Sequence, residues 1–444
     1  MQPSLRFRLS ALYALQFAIW GCYLSCFGQL LGASGLGTRI QWFYAAVGIV
    51  SLFTPVVLGY VSDRFMPSVR LLGLCHLGAS VMMAAAWAYS ATHPAMEFGT
   101  FFALYLGFLA LYMPTMALSN ATAFGIMKSR GLRPVDHFPS IRIWGTIGFV
   151  GAMWFVNSAY LTGGSFGFTL NDADPAALFR FQYTSMQLLC AAVLGLVTAI
   201  YTLTLPRTET MIPAAAGDRR PAVFRSFTLL CNANVRRFLI IAVFAGVCLQ
   251  ISNGYAIPYI NHFMADGTFA GSLAAGNATM LFSLSNISEA LCVLLVGVSL
   301  KRFGIRIVLF LALLAWCLRF LLLGLGNPGY GLWMLVGSMI VYGIAFNFFN
   351  IAGNIYMDQM SDATNRGFGQ GLLMMVSNGI GASTGMIAAG AVVNHYCHWQ
   401  PVTLASGSTM PLFMGDWPAP WLIFAGYSLV VSLLALAIIR TKAQ

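Results

Sequence analysis

The acidic residue Glu289 lies in the middle of an apolar run, residues 281–300, that is long enough to span a membrane. It precedes the basic pair Lys301 and Arg302 by 12 residues, which is about 18 Å along an α-helix and more than half of a ~30 Å hydrocarbon core. A carboxylate at that depth costs several kcal/mol unless it is paired, hydrated or protonated. Glu289 is therefore predicted to bind and release a proton. The alternative is a protonated acid that only hydrogen-bonds a neighbouring helix.

Other polar side chains fall on single faces of the predicted helices, mostly three or four residues apart. Because lipid offers no hydrogen bonds, such residues must face protein or a water-filled cavity. Amides, aromatic rings, one cation and one acid suit a neutral, flat, hydrogen-bonding solute, either a nucleobase or a sugar. By helix, these residues are Gln16, Trp20 and Tyr23; Arg142, Thr146 and Phe149; Gln250 and Asn253; Asn286 and Glu289; and Phe346, Asn347, Asn350 and Asn354.

Three further ionisable or basic residues fall within predicted spans. Arg142 shares its face with Thr146 and Phe149, which favours contact with solute over a guanidinium that only reaches the membrane interface. Arg319 has no comparable polar stripe and is interpreted as structural. His76 is interpreted as a packed hydrogen-bond partner and not as a proton relay.

The composition requires a membrane environment for these helices. The 444 residues are 59% hydrophobic and 8% charged, with a mean hydropathy of +0.78, more apolar surface than a soluble domain can bury. The nine cysteines show neither paired nor metal-type spacing, so neither disulfides nor a metal site are expected. Twelve spans are predicted, near residues 10–32, 41–61, 71–91, 98–121, 139–160, 183–204, 237–262, 276–300, 305–325, 331–356, 367–395 and 420–440.

The basic residues predict the orientation. Of 23 Lys and Arg residues, 19 lie at the termini and in the even-to-odd loops, two in the other loops and two within spans. This bias places both termini in the cytoplasm and explains the net charge of +11 without nucleic acid as a partner. The loop 205–236 divides the chain into six-helix halves, 1–204 and 237–444. Glycines at 145, 148, 379, 381 and 385 predict close helix contacts.

The two halves repeat each other weakly. Gly59-x-x-x-Asp63-Arg64 follows the second span, and Gly297-x-x-x-Lys301-Arg302 follows the eighth. Two six-helix halves, a basic central loop and this turn resemble the major facilitator superfamily. The resemblance implies that Asp63 and Arg64 latch the cytoplasmic ends of helices during gating. In the second copy, Lys301 replaces the acid.

A narrower resemblance runs nearly end to end. The segments FPSIRIWGTIGF (138–149), LQISN (249–253), ISEA (287–290), SMIVYGIAFNFFN (338–350) and WLIFAGYS (421–428) are similar to bacterial nucleoside:proton symporters. This implies proton-driven nucleoside import. It also implies a substrate site made of Arg142, Thr146, Phe149, Gln250, Asn253, Asn286, Glu289, Phe346 and Asn347.

Two positions depart from that family. Its nucleoside permeases look to carry Gln in place of Asn286 and Asp in place of Asn347. The second change is the more serious, because an amide cannot titrate. Either Glu289 alone couples protons, or the chain is a facilitator, or its substrate is another neutral solute such as a modified nucleoside, a sugar or a cell-wall fragment.

The sequence thus predicts an all-α, monomeric, multi-pass transporter of the bacterial inner membrane with the major facilitator fold. Its partners would be a nucleoside, a proton and membrane lipid, without cofactor or metal. An enzyme or sensor is disfavoured, because no paired carboxylates, metal spacing, catalytic triad or phosphate loop is found.

Overall fold

The helices of the chain are long and apolar. The computed structural model describes residues 2–171, 174–206, 230–269, 272–360, 371–404 and 407–439. Within them, eight helical segments are long and apolar enough to cross a membrane, and Met186–Thr202 is a shorter apolar helix. The chain is therefore a mostly helical membrane protein. The count of twelve spans remains a prediction, and residues 207–229 of the predicted central loop lie outside the described residues.

The chain divides into two compact units. Unit 1 comprises Met1–Ala215 and Pro401–Leu412, and unit 2 comprises Ala216–Gln400 and Phe413–Gln444. The elements between residues 3 and 202 are α1 Pro3–Tyr23, α2 Phe27–Ala33, α3 Ile40–Arg64, α4 Ser68–Thr92, α5 Phe98–Tyr112, α6 Thr115–Ser129, α7 Pro134–Ser158, β1 Ala159–Thr162, β2 Ser165–Phe168 and α8 Met186–Thr202. Proline at the first turn of α1 and of α7 suits a position where the backbone N–H has no helical partner.

The second set of elements begins after the central loop. They are α9 Ala233–His262, α10 Leu273–Gly276, α11 Ala278–Leu325, α12 Leu332–Met360, α13 Ala382–Tyr396, β3 Cys397–Thr403, β4 Thr409–Gly415 and α14 Pro418–Ile438. A π-helical segment, Met375–Gly381, precedes α13. The Asn232 side chain caps α9 by accepting a hydrogen bond from the Asn234 N–H.

Gly304 breaks α11 into two arms. Its backbone has φ 73° and ψ 166°, inside an otherwise helical stretch of 48 residues. Glycine adopts positive φ without the steric cost that a side chain imposes. The break falls between the predicted spans 276–300 and 305–325, so the two arms correspond to two predicted helices.

Two β-hairpins correct the all-α prediction. Strands β1 and β2 pair antiparallel with Thr162 opposite Ser165, and β3 pairs with β4. The loop between β1 and β2 is Gly163–Gly164, with φ of 55° and 78°, as a two-residue hairpin turn requires. Helix α7 consequently ends at Ser158 and not at residue 160. Neither hairpin was predicted from the sequence, because strands of four and seven residues are much shorter than the apolar runs that predict membrane spans.

Close glycine contacts hold α7 against α1, as the sequence predicted. A Cβ on Gly148 would collide with the backbone carbonyl of Ala14, and one on Gly21 would collide with that of Phe149. In unit 2, Gly381 meets the backbone of Val243 in the same way. These contacts are backbone against backbone, so no side-chain rotation can relieve an added methyl group.

Gly148→Ala should therefore destabilise the protein by about 1–3 kcal/mol, the usual cost of overpacking. Gly151→Ala on the same helix is the matched control, because a Cβ there meets nothing within 4 Å. The control should be neutral or slightly stabilising, since alanine is the better helix former. Thermal unfolding of the detergent-solubilised protein measures both variants. Equal melting temperatures would contradict the contact.

Candidate functional site

Glu289 lies on α11 at a point where α12 approaches very closely. Its side chain is half-buried. Ser288 Oγ donates to the carbonyl of Ile340 at 2.5 Å, and Asn347 Nδ2 donates to the carbonyl of Glu289 at 2.5 Å. Gly343 makes the approach possible, because a Cβ there would collide with Ser288. The backbone that carries the acid is therefore fixed by two hydrogen bonds from one helix to the other.

Asn347 has a role that its sequence position did not reveal. It is 6% exposed, and its amide N–H satisfies a backbone carbonyl on another helix. A carboxylate at the same place would be an acceptor facing an acceptor, unless it carried a proton. The asparagine thus supplies, at any pH, the donor that a protonated acid would supply.

Arg319 is completely buried within unit 2. Its Nε and Nη2 donate to Ser252 Oγ at 3.0 and 2.7 Å, and its Nη1 donates to the Ser338 carbonyl at 2.6 Å and to Ser285 Oγ at 3.2 Å. The guanidinium carbon lies 4.7 Å from the ring centre of Tyr342. The sequence indicated a structural residue without polar surroundings. The structure shows that three other helical segments supply those surroundings.

Tyr342 was missed by the sequence analysis and lies at the centre of this arrangement. It is 5% exposed, and its ring faces the guanidinium group of Arg319. Its ring stacks on Phe346 with centroids 5.8 Å apart and an interplanar angle of 3°. The spacing 342–346 on one helix could have suggested the stack. The contact with Arg319 depends on how α11 and α12 pack.

Other predicted polar residues of unit 2 lie on α9, α11 and α12. Asn253 Nδ2 donates to Gln250 Oε1 at 3.4 Å on α9, and Asn286 is half-buried on α11. Phe346 and Asn350 line a cleft of about 10 Å³ together with Gly246, Ser377 and Asn378, space for roughly one water molecule. Two of the lining residues lie in the π-helical segment, a form often found at functional sites.

In unit 1, Arg142 lies over an aromatic ring. Its guanidinium carbon is 4.0 Å from the centre of the Phe17 ring on α1. Thr146 is half-buried and Phe149 is 9% exposed on the same helix. The three residues share one face of α7. The attraction between the guanidinium group and the Phe17 ring holds Arg142 against α1.

Gln16 belongs to the interior of unit 1. It is fully buried, its Nε2 donates to Thr115 Oγ1 at 2.7 Å, and its Oε1 lies 2.7 Å from His76 Nε2. Gln16 thus faces protein and not a water-filled cavity, which were the two environments expected for it, because its amide is already used within the unit. The interpretation of His76 as a packed hydrogen-bond partner agrees with this contact.

The predicted latch residues Asp63 and Arg64 are in the last turn of α3. Their side chains lie outside the described part of the structure. Among the described residues there is no group of three or more His, Cys, Asp or Glu side chains that could hold a metal ion. The nine cysteines lie among the described residues, and none of them forms a disulfide there.

Comparison with known proteins identifies the family. The family model "Nucleoside H+ symporter" matches residues 3–444. The nucleoside permease NupG of Escherichia coli K12 is 34% identical over 99% of this chain and 97% of its own length. The xanthosine permease of the same organism is 32% identical over 97% and 95%.

Solved structures agree with this assignment. A crystal structure of the nucleoside transporter NupG superimposes with a TM-score of 0.81 at 32% identity, covering 99% of this chain and 100% of that one. The D-xylose-proton symporter shares the fold, with a TM-score of 0.63 at 11% identity. The family resemblance is confirmed, and the chain belongs to the nucleoside H+ symporter family of membrane transporters.

Proposed function

We propose that this protein imports nucleosides together with protons across the bacterial inner membrane by alternating access, with Glu289 as the proton carrier. The observation that carries the proposal is the half-buried side chain of Glu289 inside an apolar helix, where the backbone carbonyl of Glu289 accepts a hydrogen bond from the buried Asn347. Intramembrane acids of this kind mark proton pathways. Membership of the family supports the same reaction.

The substrate would be recognised by the polar and aromatic side chains that the sequence places within the predicted spans. Phe149 and Phe346 offer ring faces on which a base can stack. Gln250, Asn253, Asn286 and Asn347 offer amides that both donate and accept, and Arg142 and Thr146 complete the set from unit 1. With Arg142 as the only cation in this set, a neutral nucleoside fits better than a nucleotide, whose phosphates favour several Arg or Lys residues.

Proton binding and substrate binding would be linked through Glu289. Protonation from the outside removes its charge and eases its burial, and the nucleoside then docks. Opening towards the cytoplasm hydrates the carboxyl group, which releases its proton. Coupling requires that the substrate bind the protonated state more tightly than the ionised one, because a ligand shifts an equilibrium only by its differential affinity.

The architecture in this proposal has twelve spans in two six-helix halves, with both termini in the cytoplasm. The 19-to-2 distribution of basic residues supports the orientation. Asp63 and Arg64 would latch the cytoplasmic ends of helices during the cycle, and the functional state would be a monomer that is not an enzyme.

Uptake of labelled uridine into proteoliposomes, with and without an imposed pH gradient, tests the proposal. We expect accumulation above the external concentration only when the outside is acidic. Uptake that equilibrates but never exceeds the external concentration would identify a facilitator. Competition by a panel of sugars and modified nucleosides, without competition by nucleosides, would identify a different substrate.

Asn347→Asp should make uptake depend on pH more steeply than in the parent protein. At low pH a protonated Asp can still donate to the Glu289 carbonyl, whereas an ionised one cannot. We expect an initial rate about tenfold lower near pH 8 than near pH 6, from the loss of that hydrogen bond. Asn347→Ala is the control, because it removes the bond without adding a charge and should lower the rate equally at both pH values. A flat profile for the aspartate variant would contradict this role.

A further inference from the structure

A second cavity lies in unit 1, away from the residues discussed so far. Its volume is about 150 Å³, and its walls come from α2, from the loop between β2 and α8, and from β4. Since α2 follows α1 directly, the cavity is at the opposite end of the first span from the N-terminus. That end faces the periplasm in the proposed orientation.

Gln29 is the unusual residue in this cavity. It lines the wall and is only 4% exposed, yet neither its Nε2 nor its Oε1 has a hydrogen-bond partner among the described residues. Leaving a buried polar group without a partner is costly, so buried amides are nearly always bonded. Both ends of this amide are therefore unsatisfied, and a molecule that enters the cavity and displaces the groups covering the amide would satisfy them.

The other walls are aromatic and apolar. Tyr183 and Leu178 line one side, and Met410 and Thr409 line another. Tyr183 is 9% exposed, and the guanidinium carbon of the buried Arg180 lies 5.5 Å from the centre of its ring. Arg180 in turn donates from Nε to the Ala177 carbonyl at 3.0 Å. The aromatic wall is thus held in place by residues behind it.

This set of groups selects a class of ligand. A glutamine amide places one donor beside one acceptor and pairs with the edge of a base that presents the complementary pair. An aromatic ring with apolar neighbours favours the flat face of the same base. The described residues that line the cavity carry no charge, which disfavours phosphates. The volume is below the ~300 Å³ of sites for drug-sized ligands, so it suits one base and not a whole nucleoside.

We propose that this cavity is an outer recognition site for the base of a nucleoside, separate from the transport site. The proposal rests on the proposed function for the identity of the ligand. Gln29 reads the edge of the base, Tyr183 contacts its face, and the sugar stays outside the cavity.

Protection of an introduced thiol tests this site. Thr409 lines the cavity and is exposed, so the Thr409→Cys variant should react with a membrane-impermeant maleimide in proteoliposomes. The parent protein gives the background from its own cysteines. We expect millimolar uridine, and also free uracil, to slow this labelling. Unchanged labelling at both solutes, in a protein that still transports uridine, would mean that the cavity holds only water and would overturn the proposal.

Second substitutions on the Thr409→Cys background locate the protecting ligand. Gln29→Leu should raise the concentration needed for half-protection about tenfold, as expected for loss of a bidentate amide contact. Gln41→Leu is the matched control, because Gln41 also has a buried Oε1 without a partner but does not line the cavity. Retained protection in the Gln29 variant would refute the assigned role of Gln29.

A third variant separates this site from the transport site. Arg142→Gln weakens the proposed transport site and should leave protection of Thr409→Cys intact. Loss of protection in the Arg142 variant would show that labelling reports a conformational change driven from the transport site, which also overturns the proposal. Failure of uridine transport with protection retained would instead reject the transport function and leave the outer site standing.

Discussion

Glu289→Gln should abolish accumulation of nucleoside driven by a pH gradient while leaving exchange of nucleoside across the membrane. Glutamine keeps the size and hydrogen-bonding capacity of the protonated acid but cannot lose a proton. The variant is thus locked in the state that binds substrate, and the free energy of the proton gradient is no longer linked to transport. The fold should be preserved, because the hydrogen bond from Asn347 goes to the backbone carbonyl of residue 289.

Two assays on the same proteoliposomes separate the outcomes. Net uptake under an imposed pH gradient should fall to the equilibrium level, and exchange of internal unlabelled uridine for external label should persist. Glu97→Gln is the matched control, since Glu97 is exposed and precedes α5. Uphill uptake by the Glu289 variant, at the rate of the parent protein, would reject Glu289 as the proton carrier.

Arg319→Met should cost about 3 kcal/mol of stability and abolish transport. The substitution keeps an unbranched apolar stem but removes the donors that serve Ser252, Ser285 and the Ser338 carbonyl. The cost arises because buried acceptors are left without a donor, at about 1–3 kcal/mol for a group left unsatisfied. It is a large part of the total for a protein with a stability of about 5–15 kcal/mol.

The melting temperature in detergent measures the loss of stability, and uridine uptake measures the loss of transport. Arg319→Lys should have a melting temperature and an uptake rate between those of the parent protein and Arg319→Met. A lysine keeps the charge, but it lacks the planar guanidinium group that serves all three acceptors at once. Arg302→Met is the control for an exposed arginine on the same element. If Arg319→Met has the same melting temperature and the same uptake rate as the parent protein, the network does not stabilise unit 2.

Asn347 shows how a departure from a family pattern can be understood once contacts are known. From the sequence, the loss of an acid suggested three alternatives: coupling by Glu289 alone, facilitated diffusion, or another substrate. The structure adds that the amide bonds the carbonyl of Glu289. The position therefore serves the geometry of the neighbouring acid, and its neutrality does not by itself argue against proton coupling.

The sequence by itself determined the membrane environment, the family and most candidate residues. Hydropathy and the distribution of basic residues follow from the cost of polar groups in lipid, which acts on each segment separately. The spacing of Arg142, Thr146 and Phe149 is likewise a local property of one helix. The close contacts of Gly148 and Gly381 could also be predicted, because only glycine lets two backbones approach so closely.

Only the tertiary structure decided which side chains are already satisfied and which remain available. Gln16 and Gln29 are both buried glutamines of unit 1, yet Gln16 is bonded to His76 and Thr115, whereas the side-chain amide of Gln29 has no partner in the described part of the chain. Arg319 likewise finds its acceptors on other helical segments. A hydrogen bond between distant segments depends on the rotation and depth at which helices pack, and no periodicity within one segment encodes those two quantities.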